Sequence, residues 1–199
     1  DDLCKAKIYP RLTFTGEGEP FLNKQTCDMI AMARARGFNT WSINNGTMLT
    51  KDRIDKLIAV KLNRIQFSID SIKPEVYKQI RISKGNHSSY YNQVMGNILH
   101  FIKRNYEAGS PTYVTISSVQ NSLNIDEEKS FTEFWYSLPV NHVFLQPLST
   151  IQGANPSGES EGIFFKGEQK SKPVCSVPFG NAIVNSDGSV NLCTHDYDG

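Results

Sequence analysis

The chain has 199 residues, which is enough for one substantial hydrophobic core or for one domain with a small appendage. Its 21 Lys and Arg residues nearly balance its 20 Asp and Glu residues, so no broad field of charge indicates binding to nucleic acid or to an acidic membrane surface. No apolar run approaches the roughly 20 residues of a membrane span and no signal-peptide pattern opens the chain, so we expect a cytoplasmic protein with reduced thiols.

The first strand signal is the alternation of Leu12 and Phe14 with two threonines. The glycines in the next segment permit backbone angles that are closed to other residues and allow a ligand to approach closely. Two carboxylates there favour binding of an amino group or a metal over phosphate, and the lysine of a phosphate-binding loop is absent. An ordinary strand-to-helix turn, with acidic residues suited to the helix dipole, is the alternative. The segment consists of Gly16, Glu17, Gly18, Glu19 and Pro20.

Four further strand signals alternate with helical signals along the chain. Asn23, Thr50 and Pro74 are predicted to begin helices, and Asn124 with Glu127 three residues later resembles a capping box. This alternation predicts βαβ units and a parallel sheet, which binds ligands at the carboxyl ends of its strands whether it is open or a closed barrel. The predicted strands cover residues 39–43, 64–69, 113–119 and 143–145, and the polar loop before the longest helix covers 83–89.

Polar residues follow each predicted strand, so we expect them to share one site at the carboxyl edge of the sheet. For the three asparagines, a role in turns or helix caps is the alternative. The residues are Glu17, Glu19, Asn44, Asn45, Ser68, Asp70, Gln120, Asn124 and Gln146.

A second unit is predicted near the carboxyl end. Residues 149–172 lack periodicity and are rich in Gly, Ser, Pro, Glu and Lys, which is typical of a linker. Beyond it, residues 182–192 predict a β-hairpin with Asp-Gly at its turn. Cys175 and Cys193 lie near the open end of this hairpin. We expect them to begin a metal site with His195 and Asp196 as further ligands, and a buried structural pair of cysteines is the alternative.

Taken together, these motifs resemble the radical S-adenosylmethionine (SAM) enzymes that carry a carboxyl-terminal SPASM or twitch domain. The resemblance covers nearly the whole chain. It rests on Gly16–Pro20 as the GGEP motif, Asn44–Gly46 as the Thr-Asn-Gly turn, Ser68–Ser71 as the Ser-Leu-Asp-Gly strand end, Tyr77–Arg81, and Cys175-x12-Gly188-x4-Cys193 before Asp196-Tyr197.

The resemblance implies an α/β fold in which residues 1–148 form a partial (βα)6 TIM-like barrel, 149–172 a linker and 173–199 the start of a SPASM domain. It implies SAM cleavage at a 4Fe-4S cluster, a peptide or small-molecule substrate, and a reductant such as flavodoxin or ferredoxin. Glu19 would hold the methionine amino group, Ser68 and Arg81 the ribose or carboxylate, and Cys175 and Cys193 an auxiliary Fe-S cluster. The full implied SAM-binding set is Gly16, Glu17, Gly18, Glu19, Pro20, Asn45, Ser68, Asp70, Arg81 and Gln146.

The sequence also departs from that family. It contains no Cys-x3-Cys-x2-Cys motif, Glu17 replaces the first Gly of GGEP, and Thr194 stands where many relatives have a Cys. We therefore expect a fragment cut at both ends that does not support catalysis alone. A cluster-free homologue acting as a binding or scaffold subunit is the alternative. A Schiff-base or metal-dependent barrel enzyme ranks last, because no predicted strand end carries a lysine.

Overall fold

The computed structural model describes residues 2–16, 18–81, 87–148 and 177–192, and the chain forms two compact units, 1–147 and 148–199. The first unit contains a five-stranded sheet in which every neighbouring pair is parallel and the strand order follows the chain. This confirms the expected α/β architecture of a partial TIM-like barrel. The strands are β1 (Leu12–Phe14), β2 (Thr40–Asn44), β3 (Arg64–Ser68), β4 (Tyr113–Gln120) and β5 (His142–Pro147).

Helices connect these strands, as parallel pairing requires. Thr50 caps its helix through its side chain as predicted, and Pro74 occupies a first helical turn. The helices of the first unit are α1 (Asp2–Lys5), α2 (Thr26–Ala35), α3 (Lys51–Ala59), α4 (Pro74–Ile80), α5 (His87–Glu107) and α6 (Glu128–Tyr136), with 3-10 turns at Pro20–Leu22 and Ile125–Glu127. No helix in the described ranges has the length and apolar character needed to cross a membrane.

The apolar core lies on one face of the sheet. Ile65 and Phe67 of β3 are fully buried there, and the Phe67 ring meets Phe101 of α5 at 5.5 Å between centroids. Side chains alternate across a strand, so residues 64, 66 and 68 project from the opposite face. In the described part of the chain, no residue of that opposite face belongs to the core cluster. We call it the open face.

Several local predictions were wrong in detail. Asn23 accepts a hydrogen bond from the Gln25 N–H at 2.9 Å, but α2 begins only at Thr26. Asn124 makes no side-chain cap, because its amide is used in tertiary contacts described below. The predicted polar loop 83–89 overlaps α5, which begins at His87.

The second unit contains the predicted hairpin. Its antiparallel strands β6 (Ile183–Val184) and β7 (Val190–Asn191) follow the short helix α7 (Val177–Gly180). Gly188 has a φ of 88°, which suits glycine in the tight turn. Cys175, Cys193, His195 and Asp196, the predicted metal ligands, lie outside the described residues.

Candidate functional site at the carboxyl edge of the sheet

The Glu19 carboxylate joins the loop after β1 to the turn after β2. Its Oε1 accepts the Phe21 N–H at 3.1 Å and its Oε2 accepts the Asn45 N–H at 2.8 Å. A carboxylate oxygen accepts more than one hydrogen bond, so both oxygens keep capacity for a further donor. The side chain is therefore held in place and remains suited to bind an ammonium group.

Burial raises the pKa of Glu19 above its ordinary value, and the N–H groups of Asn45 and Phe21 oppose this shift by stabilising the anion. The positive charge of Arg53 opposes it further. A partly desolvated carboxylate interacts more strongly with a cation than an exposed one, because less water screens the pair.

The glycines around Glu19 leave open space. A Cβ atom built on Gly16 or Gly18 would meet no heavy atom within 4 Å. Neither glycine is among those with a positive φ. Pro20 begins the 3-10 turn, and its carbonyl accepts the Thr26 hydroxyl at 2.6 Å. Glu17 lies outside the described residues.

The turn after β2 is stabilised by its own side chains. The Asn44 Oδ1 accepts the Gly46 N–H at 3.0 Å, and the Asn45 Oδ1 accepts the Thr47 N–H at 3.0 Å. These bonds match the alternative in which both asparagines serve the turn. The contribution of Asn45 to the site described here is its backbone N–H, which Glu19 accepts.

A second group of predicted site residues is centred on Arg81. Its Nε lies 2.6 Å from Asp70 Oδ2, and its Nη2 donates to the Ser68 Oγ at 3.2 Å. The Asp70 side chain is 5% exposed, and its Oδ1 accepts the Val119 N–H at 3.2 Å. Both Asp70 oxygens thus have protein partners, whereas the Arg81 side chain is 35% exposed. Asp70 orients Arg81, and Arg81 is the group that faces solvent.

Two residues of the loop after β4 support this group, although their spacing in the sequence predicted a capping box. Asn124 Nδ2 donates to the Asp70 carbonyl at 2.8 Å and to the Val119 carbonyl at 2.9 Å. The buried Glu127 accepts the Ser71 hydroxyl at 2.7 Å. The predicted capping box was therefore wrong, since both side chains bind the loop after β3 instead.

Five residues of the implied SAM-binding set fall into two contact groups on one edge of the sheet. Glu19 contacts Asn45, while Ser68, Asp70 and Arg81 contact one another. Gln146 is exposed on β5 opposite Val119, and among the described residues no hydrogen bond joins its side chain to either group. Its assignment stays a prediction. In the parts of the chain that the structure covers, no cluster of His, Cys, Asp and Glu suits a metal ion.

Comparison with known proteins adds an independent finding. A model of the Radical SAM superfamily matches residues 2–131. A probable GTP 3',8-cyclase of Methanocaldococcus jannaschii is 33% identical over 63 residues, covering 32% of this chain and 21% of that protein. An S-adenosylmethionine-dependent nucleotide dehydratase of Flammeovirga pacifica is 30% identical over 130 residues, covering 64% of this chain and 43% of that protein. The chain spans less than half the length of either relative.

Two solved structures share the fold. TYW1 with a lysine-pyruvate adduct bound has a TM-score of 0.53 at 19% identity, over 72% of this chain and 43% of that one. SuiB of Streptococcus suis bound to S-adenosylmethionine has a TM-score of 0.55 at 12% identity, over 72% of this chain and 30% of that one.

Proposed function

The chain belongs to the radical SAM superfamily, and on that premise we propose that its carboxyl-edge site binds SAM for radical chemistry in the intact protein to which these residues belong. Bound SAM and a 4Fe-4S cluster would supply a 5'-deoxyadenosyl radical that abstracts hydrogen from a peptide or small-molecule substrate. The chain's own residues bind and orient the cofactor.

The observation that carries this proposal is the position of Glu19. Its carboxylate is fixed by two backbone N–H groups, retains acceptor capacity and adjoins the open space beside Gly18. An ammonium group fits such a site because charge-assisted hydrogen bonds to a preorganised carboxylate are strong. The methionine amino group of SAM has that chemistry.

Arg81 supplies the opposite charge at the same edge of the sheet. Its guanidinium, oriented by Asp70 and Ser68, suits a carboxylate or the ribose hydroxyls of SAM. Asn124 holds the loop that carries Asp70, so we assign Asp70 and Asn124 to positioning and Arg81 to cofactor contact.

The rest of the proposal concerns the intact protein. We propose that Cys175 and Cys193 bind an auxiliary Fe-S cluster. A small redox protein such as flavodoxin or ferredoxin would deliver the electron, and the oxygen sensitivity of such clusters favours a reducing cytoplasm.

Calorimetric titration with SAM tests the site. We expect Glu19→Gln to weaken SAM binding about tenfold or more, since a hydrogen bond to a charged group contributes about 1.5–3 kcal/mol. Glu133→Gln is the matched control, because Glu133 is an exposed residue of α6 that lies outside the site. Equal affinity of Glu19→Gln and the control would remove Glu19 from the site. Binding without reductive cleavage in the intact protein would support the scaffold alternative.

A further inference from the structure

A row of alternating cationic and aromatic side chains crosses the amino end of the open face. The Arg64 Cζ lies 4.5 Å from the Trp41 ring centroid and 5.2 Å from that of Tyr113, and the Arg11 Cζ lies 4.8 Å from the Trp41 ring. The sheet register creates this row, because Trp41 pairs with Arg64 and Arg64 pairs with Tyr113. Directly paired residues project from the same face.

No carboxylate among the described residues pairs with the positive charge of this row. Within the described residues, neither Arg11 nor Arg64 forms an ion pair, whereas Arg81 and Arg104 do. Arg64 Nη2 donates to the Thr115 hydroxyl at 3.1 Å. A neutral hydroxyl satisfies one N–H and supplies no counter-charge.

Two buried donors in the row have no acceptor in the part of the chain that the structure describes. They are Arg64 Nε and the Trp41 indole Nε1. Buried polar groups are nearly always hydrogen-bonded, so a water molecule or a ligand that supplies oxygen acceptors would satisfy both N–H groups. Guanidinium groups bind carboxylate and phosphate with parallel N–H···O bonds.

The row and the proposed SAM site lie at opposite ends of β3. Arg64 begins β3 and Ser68 ends it, so four residues of rise separate them by about 13 Å. Gln66, which donates to the Ser117 hydroxyl at 3.0 Å, lies between them on the same face. A polar surface therefore connects the row to Ser68 and Arg81.

We propose that Arg64, together with Arg11 and the Trp41 indole, binds an anionic group of the substrate, a carboxylate or a phosphate, at the amino end of the open face. The substrate is then an elongated acidic molecule whose reacting carbon lies on the order of 10 Å from that group. This inference rests on the proposed function, because it assigns the substrate class to the same sheet.

Nuclear magnetic resonance of the two tryptophan indoles tests the proposal on the 199-residue chain. The chain has two Trp residues, and Trp135 is fully buried in the core, so its N–H signal is an internal control for folding. We would titrate with inorganic phosphate and, separately, with succinate at constant ionic strength. The Trp41 signal is expected to shift saturably with one or both anions while the Trp135 signal stays in place.

Substitutions then identify the binding group. Arg64→Gln should raise the midpoint of the titration at least tenfold, Arg64→Lys should restore part of the affinity, and Arg11→Gln should weaken binding less because Arg11 is exposed. Arg104→Gln, in an exposed ion pair with Asp55, is the matched control and should leave the titration unchanged. Saturation by phosphate alone assigns a phosphorylated substrate, and saturation by succinate alone assigns a carboxylate. An absent shift, or one that Arg64→Gln retains while its Trp135 signal is native, overturns the proposal.

A parallel titration with S-adenosylhomocysteine separates this inference from the proposed function. Arg64→Gln should bind that compound with unchanged affinity, since Arg64 does not contact the Glu19 or Arg81 groups. Anion binding without S-adenosylhomocysteine binding would remove the proposed cofactor site and leave the anion site standing. S-adenosylhomocysteine binding without anion binding would overturn the anion site and leave the proposed cofactor site standing.

Discussion

The Glu19 carboxylate accepts the backbone N–H of Asn45 at 2.8 Å, which ties the loop after β1 to the turn after β2. This contact spans two neighbouring parallel strands and places a half-buried acid at the sheet edge. It gives Glu19 a structural role beside the proposed role in cofactor binding. The two roles differ in their dependence on pH.

The raised pKa of Glu19 predicts a pH-dependent stability contribution. The folded protein keeps the Glu19 proton to higher pH than the unfolded chain, so the unfolded state binds fewer protons between the ordinary value of 4.5 and the folded pKa. This group therefore lowers the free energy of unfolding as pH rises through that window. Denaturation of the wild type and of Glu19→Gln from pH 4 to 7 measures this contribution to the free energy of unfolding. We expect the stability difference, wild type minus variant, to fall with pH, and a flat difference would contradict the assignment.

The Asp70–Arg81 pair should show strong energetic coupling. Removing either charge leaves a buried or half-buried partner unpaired, so we expect Asp70→Asn and Arg81→Met each to cost about 2 kcal/mol of stability. The double variant should cost at least about 1 kcal/mol less than the sum. The exposed Asp55–Arg104 pair is the control, and its coupling should be smaller because water screens it. Equal coupling energies in the two double-mutant cycles would show that burial does not strengthen the Asp70–Arg81 pair.

Asn124 should be more important for stability than a helix cap. It donates to the carbonyls of Asp70 and Val119 and accepts the Asn121 N–H at 2.8 Å. Asn124→Ala removes all three bonds from a buried site and should cost about 2–4 kcal/mol. Thr50→Ala, at a true cap, should cost about 1 kcal/mol. Urea denaturation measures both. Similar costs would restore the capping interpretation of Asn124.

The hairpin cysteines are tested in the intact protein by metal analysis. If Cys175 and Cys193 bind an auxiliary Fe-S cluster, Cys193→Ala should lower the iron content and leave SAM cleavage measurable. Cys27→Ala is the control, because Cys27 is a core residue with 6% exposure. An unchanged iron content in Cys193→Ala would assign the pair a structural role.

The strands and their parallel order could be predicted because apolar alternation and loop chemistry are local signals. Leu12 with Phe14, and Ile65 with Phe67, mark strands within a few residues of sequence. The Glu19 loop and the Ser68–Asp70 strand end were found in the same way. We predicted that these two segments lie on one edge of the sheet from the parallel topology, because the sequence itself shows no contact between them.

The remaining site chemistry depends on contacts between distant residues. Asn124 and Glu127 have the spacing of a capping box, and only the folded chain brings them to Asp70 and Ser71, 54 and 56 residues away in sequence. The row of Trp41, Arg64 and Tyr113 has no local signal at all. Each is an ordinary strand residue until the register aligns the three strands.

The one-sided core has an evolutionary consequence. Ile65, Phe67, Val114 and Ile116 hold the sheet to its helices from one face. Side chains on the other face, such as Gln66 and Phe144, contribute little to that packing. Substitutions on that face can change the molecules that the sheet accepts while the apolar core stays intact.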